Sequence, residues 1–330
     1  MAMFGKKSVV GVDLDSNEIR GVELSGETGK PRLTAWGRVP LPEGAVSDGQ
    51  IVDVEKVREA LIQLKQSSGI GQSEVLLGVL NQGVLVRLAS YPQVEKDKQD
   101  GMIRMQAQDF MPLPLSSVIL DYAVVGPEDA EQLEVLLVAG RRDMIGTFVE
   151  AFTNTRWKMK DIDVSALVLT RVMPTEMMGK TIAVVDVANG MTGLMISAEG
   201  KPRLVRLLSA RFSELAKIKE SPVEDILDQT SANDEVIEKW LEDFTGEIRS
   251  SVNYYHGQQS QHRVESVLLT GRGSRLRGLQ EALSVGLGMP VDTADPFYDG
   301  GIETHREDEI MREAADFSVA ISLALRGLEV

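Results

Sequence analysis

Two stretches of this chain carry the same pattern of apolar and polar positions. The first runs Val9-Val10-Gly11-Val12-Asp13-Leu14, turns at Asp15-Ser16-Asn17 and resumes at Ile19-Arg20-Gly21-Val22-Glu23-Leu24. The second runs Ile182-Ala183-Val184-Val185-Asp186-Val187, turns at Ala188-Asn189-Gly190 and resumes at Thr192-Gly193-Leu194-Met195-Ile196. An apolar strand ending near an Asp, a polar turn and a second apolar strand together make a hairpin signal. The pattern predicts strands over residues 8–14, 19–25, 32–39, 74–80, 84–88, 118–125 and 133–140, and then over 181–187, 192–197, 203–208 and 264–270. Helical spacing of apolar residues predicts helices over 53–67, 95–110, 141–154, 211–217, 223–229, 234–256, 276–286 and 310–325. In the first of these Val54, Val57, Leu61 and Leu64 form the stripe and Asp53 is the N-cap.

The order of elements divides the chain into a first half over 1–180 and a second half over 181–330, the latter with a long helical segment. Residues from about 79 to 160 are punctuated by Pro92, Pro112, Pro114 and Pro127 and are expected to form an inserted subdomain. Two matching hairpins predict two related halves facing each other across a cleft, with Asp13 and Asp186 directed into it. A third motif, Leu268-Leu269-Thr270-Gly271-Arg272-Gly273-Ser274, places a glycine turn between a strand and a helix start, a natural anion contact. Each motif also has a plain structural use. Asp and Asn are common in turns, and Ser274 suits a helix N-cap.

With the three motifs in this order, the chain resembles the actin-like ATPase fold. This is an α/β fold of duplicated ribonuclease H-like halves, here with an inserted FtsA-type α/β subdomain. The resemblance implies ATP and Mg as cofactors. Asp13 and Asp186 would hold a hydrated Mg. Ser16, Asn17, Asn189, Gly190 and Thr192 would face the phosphates, and Gly271, Gly273 and Ser274 would lie by the nucleoside.

Composition narrows the chemistry. A net charge of -15 over 330 residues disfavours nucleic acid. With no cysteine in the chain, disulfides and thiolate chemistry are excluded. No apolar run approaches a membrane span, so a cytoplasmic protein is expected. Phe4, Lys6 and Lys7 offer only a weak contact to an anionic membrane surface. His256, His262 and His305 do not have metal-ligand spacing. Glu303, Glu307, Asp308, Glu309 and Glu313 are expected to form a solvated helix start.

At higher specificity the residues resemble the PilM family of the type IV pilus assembly platform. The likeness is carried by residues 11–24, 79–92, 104–122, 270–279 and 320–328. Its most specific part is the aromatic-x-Pro-x-Pro run Phe110-Met111-Pro112-Leu113-Pro114, followed by a strand ending in Asp121-Tyr122. The resemblance implies a scaffold, peripheral at the inner membrane, that binds the N-terminal cytoplasmic tail of a PilN-like membrane protein and links it to the motor. It implies a groove beside the inserted subdomain, with Asn81, Arg87, Phe110, Pro112 and Leu113 as matching positions.

Three positions depart from the actin-like pattern. Asp15 and Ala188 stand where a glycine usually follows the strand-end Asp by two residues, and Arg272 replaces the second of paired glycines. A carboxylate about 4 Å from a phosphate is repelled by about 1 kcal/mol even in water. Three function classes therefore stand side by side. One is a scaffold with little or no ATPase activity. Another is an ATP-binding, FtsA-like protein whose nucleotide state governs partners or filaments, with at most slow hydrolysis. The third, a sugar-kinase-like enzyme, lacks any sugar-site pattern here.

Overall fold

The structure is a computed structural model that describes residues 7–27, 29–126, 131–227, 234–258, 262–304 and 309–329. Phe4, Lys6, His305, Glu307 and Asp308, and the end of the helix expected over 223–229, lie outside the described residues.

The first half opens with the meander β1 (Ser8–Leu14), β2 (Glu18–Glu27) and β3 (Lys30–Pro40), then a two-rung ribbon of β4 (Val46–Ser47) and β5 (Gln50–Ile51). Helix α1 (Val54–Ser67) starts where expected, since the Asp53 carboxylate accepts the Lys56 N–H. After β6 (Glu74–Val79), the chain builds a subdomain from β7 (Val84–Pro92), α2 (Lys96–Gln106), β8 (Val118–Val124) and β9 (Gln132–Arg141). Helix α3 (Arg142–Phe152), strand β10 (Lys158–Val164) and α4 (Ser165–Val168) return the chain to the first half. The second half comprises β11 (Thr181–Val187), β12 (Thr192–Ala198), β13 (Lys201–Leu208), α5 (Phe212–Ile218), α6 (Val223–Leu227) and α7 (Glu235–Gln258). It continues with β14 (Ser266–Thr270), α8 (Leu279–Leu287), β15 (Val291–Thr293), α9 (Pro296–Asp299) and α10 (Ser318–Glu329).

The duplication is explicit in the strand order. The first sheet runs β10-β6-β1-β2-β3 and the second β15-β14-β11-β12-β13. In each, the first three strands form an antiparallel meander and the two later strands add in parallel. Parallel neighbours need crossovers, which bring helices onto the sheet faces. The outer face of the first sheet carries α1 and α3, through Val57, Leu61, Leu64, Phe148 and Phe152. The outer face of the second carries α5, α7 and α8, through Phe212, Trp240, Phe244 and Leu283.

Between the sheets lies a shared core in which Val9, Val22 and Leu24 meet Ile182, Val184 and Met195 through α4 and α10. Helix α10 lies close against β1. A Cβ on Gly11 would fall 1.9 Å from the Ala320 carbonyl oxygen, so only glycine admits this approach.

Three expectations are corrected. The strand β10 was not foreseen. The helix expected over 276–286 begins at Leu279, after a 3₁₀ turn over Arg272–Arg275. The helix expected over 310–325 is a 3₁₀ segment, Glu309–Phe317, that leaves helical angles at Glu313 before α10 begins. Here Glu313 and Asp316 are drawn to the guanidinium groups of Arg38 and Arg275.

Candidate functional site

The cleft forms where β1 and β11 end. Side chains alternate across a strand. Val10 and Val12 therefore enter the outer core of the first half, while Val9, Gly11 and then Asp13 face inward. In β11, Ala183, Val185 and Val187 point outward, and Ile182, Val184 and Asp186 point inward. Asp13 and Asp186 do line one cavity, together with Asp15, Ser16, Ala188 and Gly190. Its volume is about 30 Å³, the room of a single water.

The space is small because the protein has filled it. Arg20 stands opposite Asp13 in the β1–β2 register and is 2% exposed. Its Nη1 donates to Asp13 Oδ2 (2.8 Å), its Nη2 to Asp15 Oδ2 (3.0 Å) and its Nε to Glu18 Oε1 (2.6 Å). The Asp15 carboxylate continues across the cleft, accepting the backbone N–H of Asn189 at 3.0 Å and of Gly190 at 2.8 Å. It also accepts the Ser16 N–H at 2.7 Å. A short charged loop of the first half is thus seated in the amide nest of the second.

A second row of charges extends this contact. Glu18 lies 3.3 Å from Arg272 and 3.7 Å from Arg38. Asp316, whose side chain is fully buried, lies 3.1 Å from Arg275, 3.6 Å from Arg38 and 3.9 Å from Arg272. At the mouth of the cleft, Arg211 of the second half reaches Asp48 of the first at 2.5 Å. Burial opposes the charge on Arg20, yet Glu18, Asp15, Asp13 and Asp316 hold its pKa above the usual value. Burial pushes the Asp13 carboxyl up to about 6 against the pull of Arg20. Asp186 is pushed up to about 8, chiefly by burial and then by the charge of Asp13, and so is largely protonated at neutral pH.

Of the residues expected to hold nucleotide or metal, Asp13, Ser16, Asp186 and Gly190 line this cavity, and most of the set have other partners. The Asn189, Gly190 and Ser16 amides serve Asp15. The Thr192 hydroxyl donates to the Ala210 carbonyl at 2.9 Å, and the Asn17 carbonyl accepts the Leu41 N–H at 2.7 Å. The Ser274 hydroxyl donates to the Gly271 carbonyl at 2.6 Å. Gly271, at φ +79°, and Gly273 pack on Asp186 and Val187 with no room for a Cβ. Arg272 is folded onto Glu18 and Asp316. A Mg-nucleotide does not fit this arrangement. Its phosphate amides are occupied, a guanidinium lies on Asp13, and the cavity is far below the roughly 300 Å³ of a small-molecule site.

The five positions expected to face a partner are spread over three places. Asn81 is wholly buried, donating to the Gly49 carbonyl and accepting the Gly83 N–H. Phe110 and Leu113 pack on the core of the subdomain, Phe110 tilted on Tyr91 with centroids 5.3 Å apart, while Pro112 is exposed. Arg87 lines a hollow of about 280 Å³ against Val205 and Arg206.

A larger apolar groove of about 470 Å³ lies elsewhere, between the subdomain and the first half. Ile119 and Ala123 of β8, Ile145 and Val149 of α3, and Ile162 of β10 line it. Ile119 is 44% exposed and Val149 48%. β8 and β10 are each the outermost strand of their sheets. Asp161 and Asp163 at the groove are held by Arg326 at 2.7 and 2.8 Å.

Duplicated meander sheets, crossing helices and a cleft between paired strand-end aspartates define a protein of the actin-like ATPase fold. A family model described as Type IV pilus assembly protein PilM matches residues 11–206 and 214–328. The chain belongs to that family. Its structure is similar to the PilM–PilN type IV pilus biogenesis complex, with a TM-score of 0.87 at 23% identity, covering 99% of this chain and 100% of that chain. It is also similar to ethanolamine utilization protein EutJ from Carboxydothermus hydrogenoformans, with a TM-score of 0.54 at 14% identity, covering 98% of this chain and 90% of that one. These likenesses are of fold. The structure is also similar to MreB 5 of Spiroplasma citri bound to AMPPNP, with a TM-score of 0.48 at 10% identity, covering 90% of this chain and 95% of that one. Among the described residues, no helix is long and apolar enough to cross a membrane.

Proposed function

We propose that this protein is a scaffold of the type IV pilus assembly platform, binding the cytoplasmic tail of a PilN-like membrane protein in the groove between β8, α3 and β10. The observation that carries this reading is the groove itself. It joins exposed Ile119 and Val149 to two strands that each end a sheet. Edge strands offer unpaired backbone groups to an extended peptide, and apolar pockets between them select its side chains. Membership of the PilM family supports the choice of partner, as does similarity to a structure of a PilM–PilN complex. The partner would hold the protein at the inner membrane. Catalysis has no part in this role.

The test is fluorescence anisotropy with a labelled peptide of the PilN-like tail from the same genome. Saturable binding is expected, weakened at least tenfold by Ile119→Asp or Val149→Asp. Both positions are exposed, so the fold is expected to tolerate either change. Absence of binding, or binding indifferent to both changes, would overturn the assignment.

A further inference from the structure

We propose that Asp15 and Arg20 stand in the interdomain cleft for the anion and the cation of a Mg-nucleotide, so that this chain joins its halves with its own side chains and takes no nucleotide there. Three observations converge. The backbone amides of Asn189 and Gly190 point at a negative group, and that group is the Asp15 carboxylate, 3.0 and 2.8 Å away. Paired amides in a turn are an anion nest. The strand-end carboxylate Asp13 is met by a cation, and that cation is the Arg20 guanidinium at 2.8 Å. Asp15 and Arg20 are themselves paired at 3.0 Å, as a phosphate and its metal would be.

The nucleoside side of the cleft closes in the same manner. Arg272 turns back onto Glu18 and Asp316, both buried. The three positions at which the sequence departs from the actin-like pattern are therefore connected. Asp15 and Arg272 both belong to the filling of the cleft, and Ala188 lines what remains of it. A carboxylate that would repel a phosphate in an open cleft becomes, with Arg20 beside it, the ligand that closes it.

This inference does not rest on the peptide groove, whose lining shares no residue with the cleft. The test is thermal unfolding and isothermal titration of the whole chain with Mg-ATP and Mg-ADP at millimolar concentration. No heat and no shift in midpoint are expected for the natural sequence. A midpoint raised by several degrees, with saturating heat, would overturn the proposal. Asp15→Gly empties the amide nest. It is expected to unfold at lower temperature and to be partly restored by millimolar inorganic pyrophosphate, which leaves the natural protein unchanged. Equal midpoints for Asp15→Gly and the natural chain would also count against it. Should Asp15→Gly fail to fold, Asp15→Asn keeps the shape and one acceptor oxygen for the Ser16 and Gly190 amides, but its NH2 cannot accept from Asn189 or Arg20 as the second carboxylate oxygen does. It is expected to unfold at lower temperature than the natural chain, and the nucleotide titration of the natural chain decides on its own.

Discussion

The Asp15 carboxylate accepts the Gly190 backbone amide at 2.8 Å across a span of 175 residues, joining the first turn of one half to the first turn of the other. The bond rests on Arg20, which orients Asp15 from behind and neutralises it. Removing one partner from a buried ionic cluster leaves the others uncompensated, at about 3–5 kcal/mol. Arg20→Gln is therefore expected to lose stability on that order in urea unfolding. Asp48→Ala breaks the half-exposed bridge to Arg211 and is expected to lose under about 1 kcal/mol. Comparable losses would mean that the cluster does not hold the halves together.

Asp186 makes stability depend on pH. Its carboxyl is pushed up to about 8 in the folded protein, chiefly by burial, against about 4 in an unfolded chain. A raised folded value means that the stabilising contribution is complete below about pH 4 and is lost as pH rises toward 8. Asp13, raised to about 6, acts in the same direction over a narrower range, while Arg20 keeps its charge throughout. Asp186→Asn removes the proton-linked loss. Its advantage over the natural protein is expected to be small at pH 4 and to grow to roughly 5 kcal/mol by pH 8. Urea unfolding across that range checks it; an advantage that stays flat with pH would show Asp186 to be ionised in the fold.

Gly11 and Gly146 make a contrasting pair. A methyl group at Gly11 meets the Ala320 carbonyl and the Ala324 amide of α10, both backbone. Gly11→Ala is expected to cost at least about 2 kcal/mol, by overpacking of the central core. Gly146 lies inside α3 with nothing near its missing Cβ. Gly146→Ala is expected to gain roughly 0.5–1 kcal/mol from helix propensity. Melting temperatures of the two variants test whether α10 sits as closely on β1 as described.

The hairpins ending at Asp13 and Asp186 were legible because their faces alternate cleanly, and the duplicated order of strands followed from them. Arg20 carried a signal that was not used. The four residues Asp15 to Glu18 turn the chain and fix the register Leu14 to Ile19, and the next inward pair is Asp13 with Arg20. A lone arginine facing inward in an apolar strand requires a partner, and the register names it. β10 was hidden for a different reason. Its register shifts between Met159 and Asp161, so Met159 and Ile162 fall out of period-two alternation and the apolar signal is lost. The groove depends on that strand, and so it was not visible in the sequence; of the motif residues expected to face a partner, Asn81 is buried and Phe110 packs against the core of the subdomain. Glu18 and Asp316 were illegible for want of their context. Their partners Arg38, Arg272 and Arg275 come from two distant segments, β3 and the 3₁₀ turn after β14, that only the closed fold brings together.

The account holds that the groove works and the cleft is closed by the protein itself. Its most direct test is the affinity of the PilN-like tail peptide, measured with no nucleotide and again with millimolar Mg-ATP. Equal dissociation constants, within about twofold, are predicted, because a ligand that does not bind exerts no linkage. A tenfold change in either direction would show that nucleotide enters the cleft and is coupled to the groove, contradicting the account.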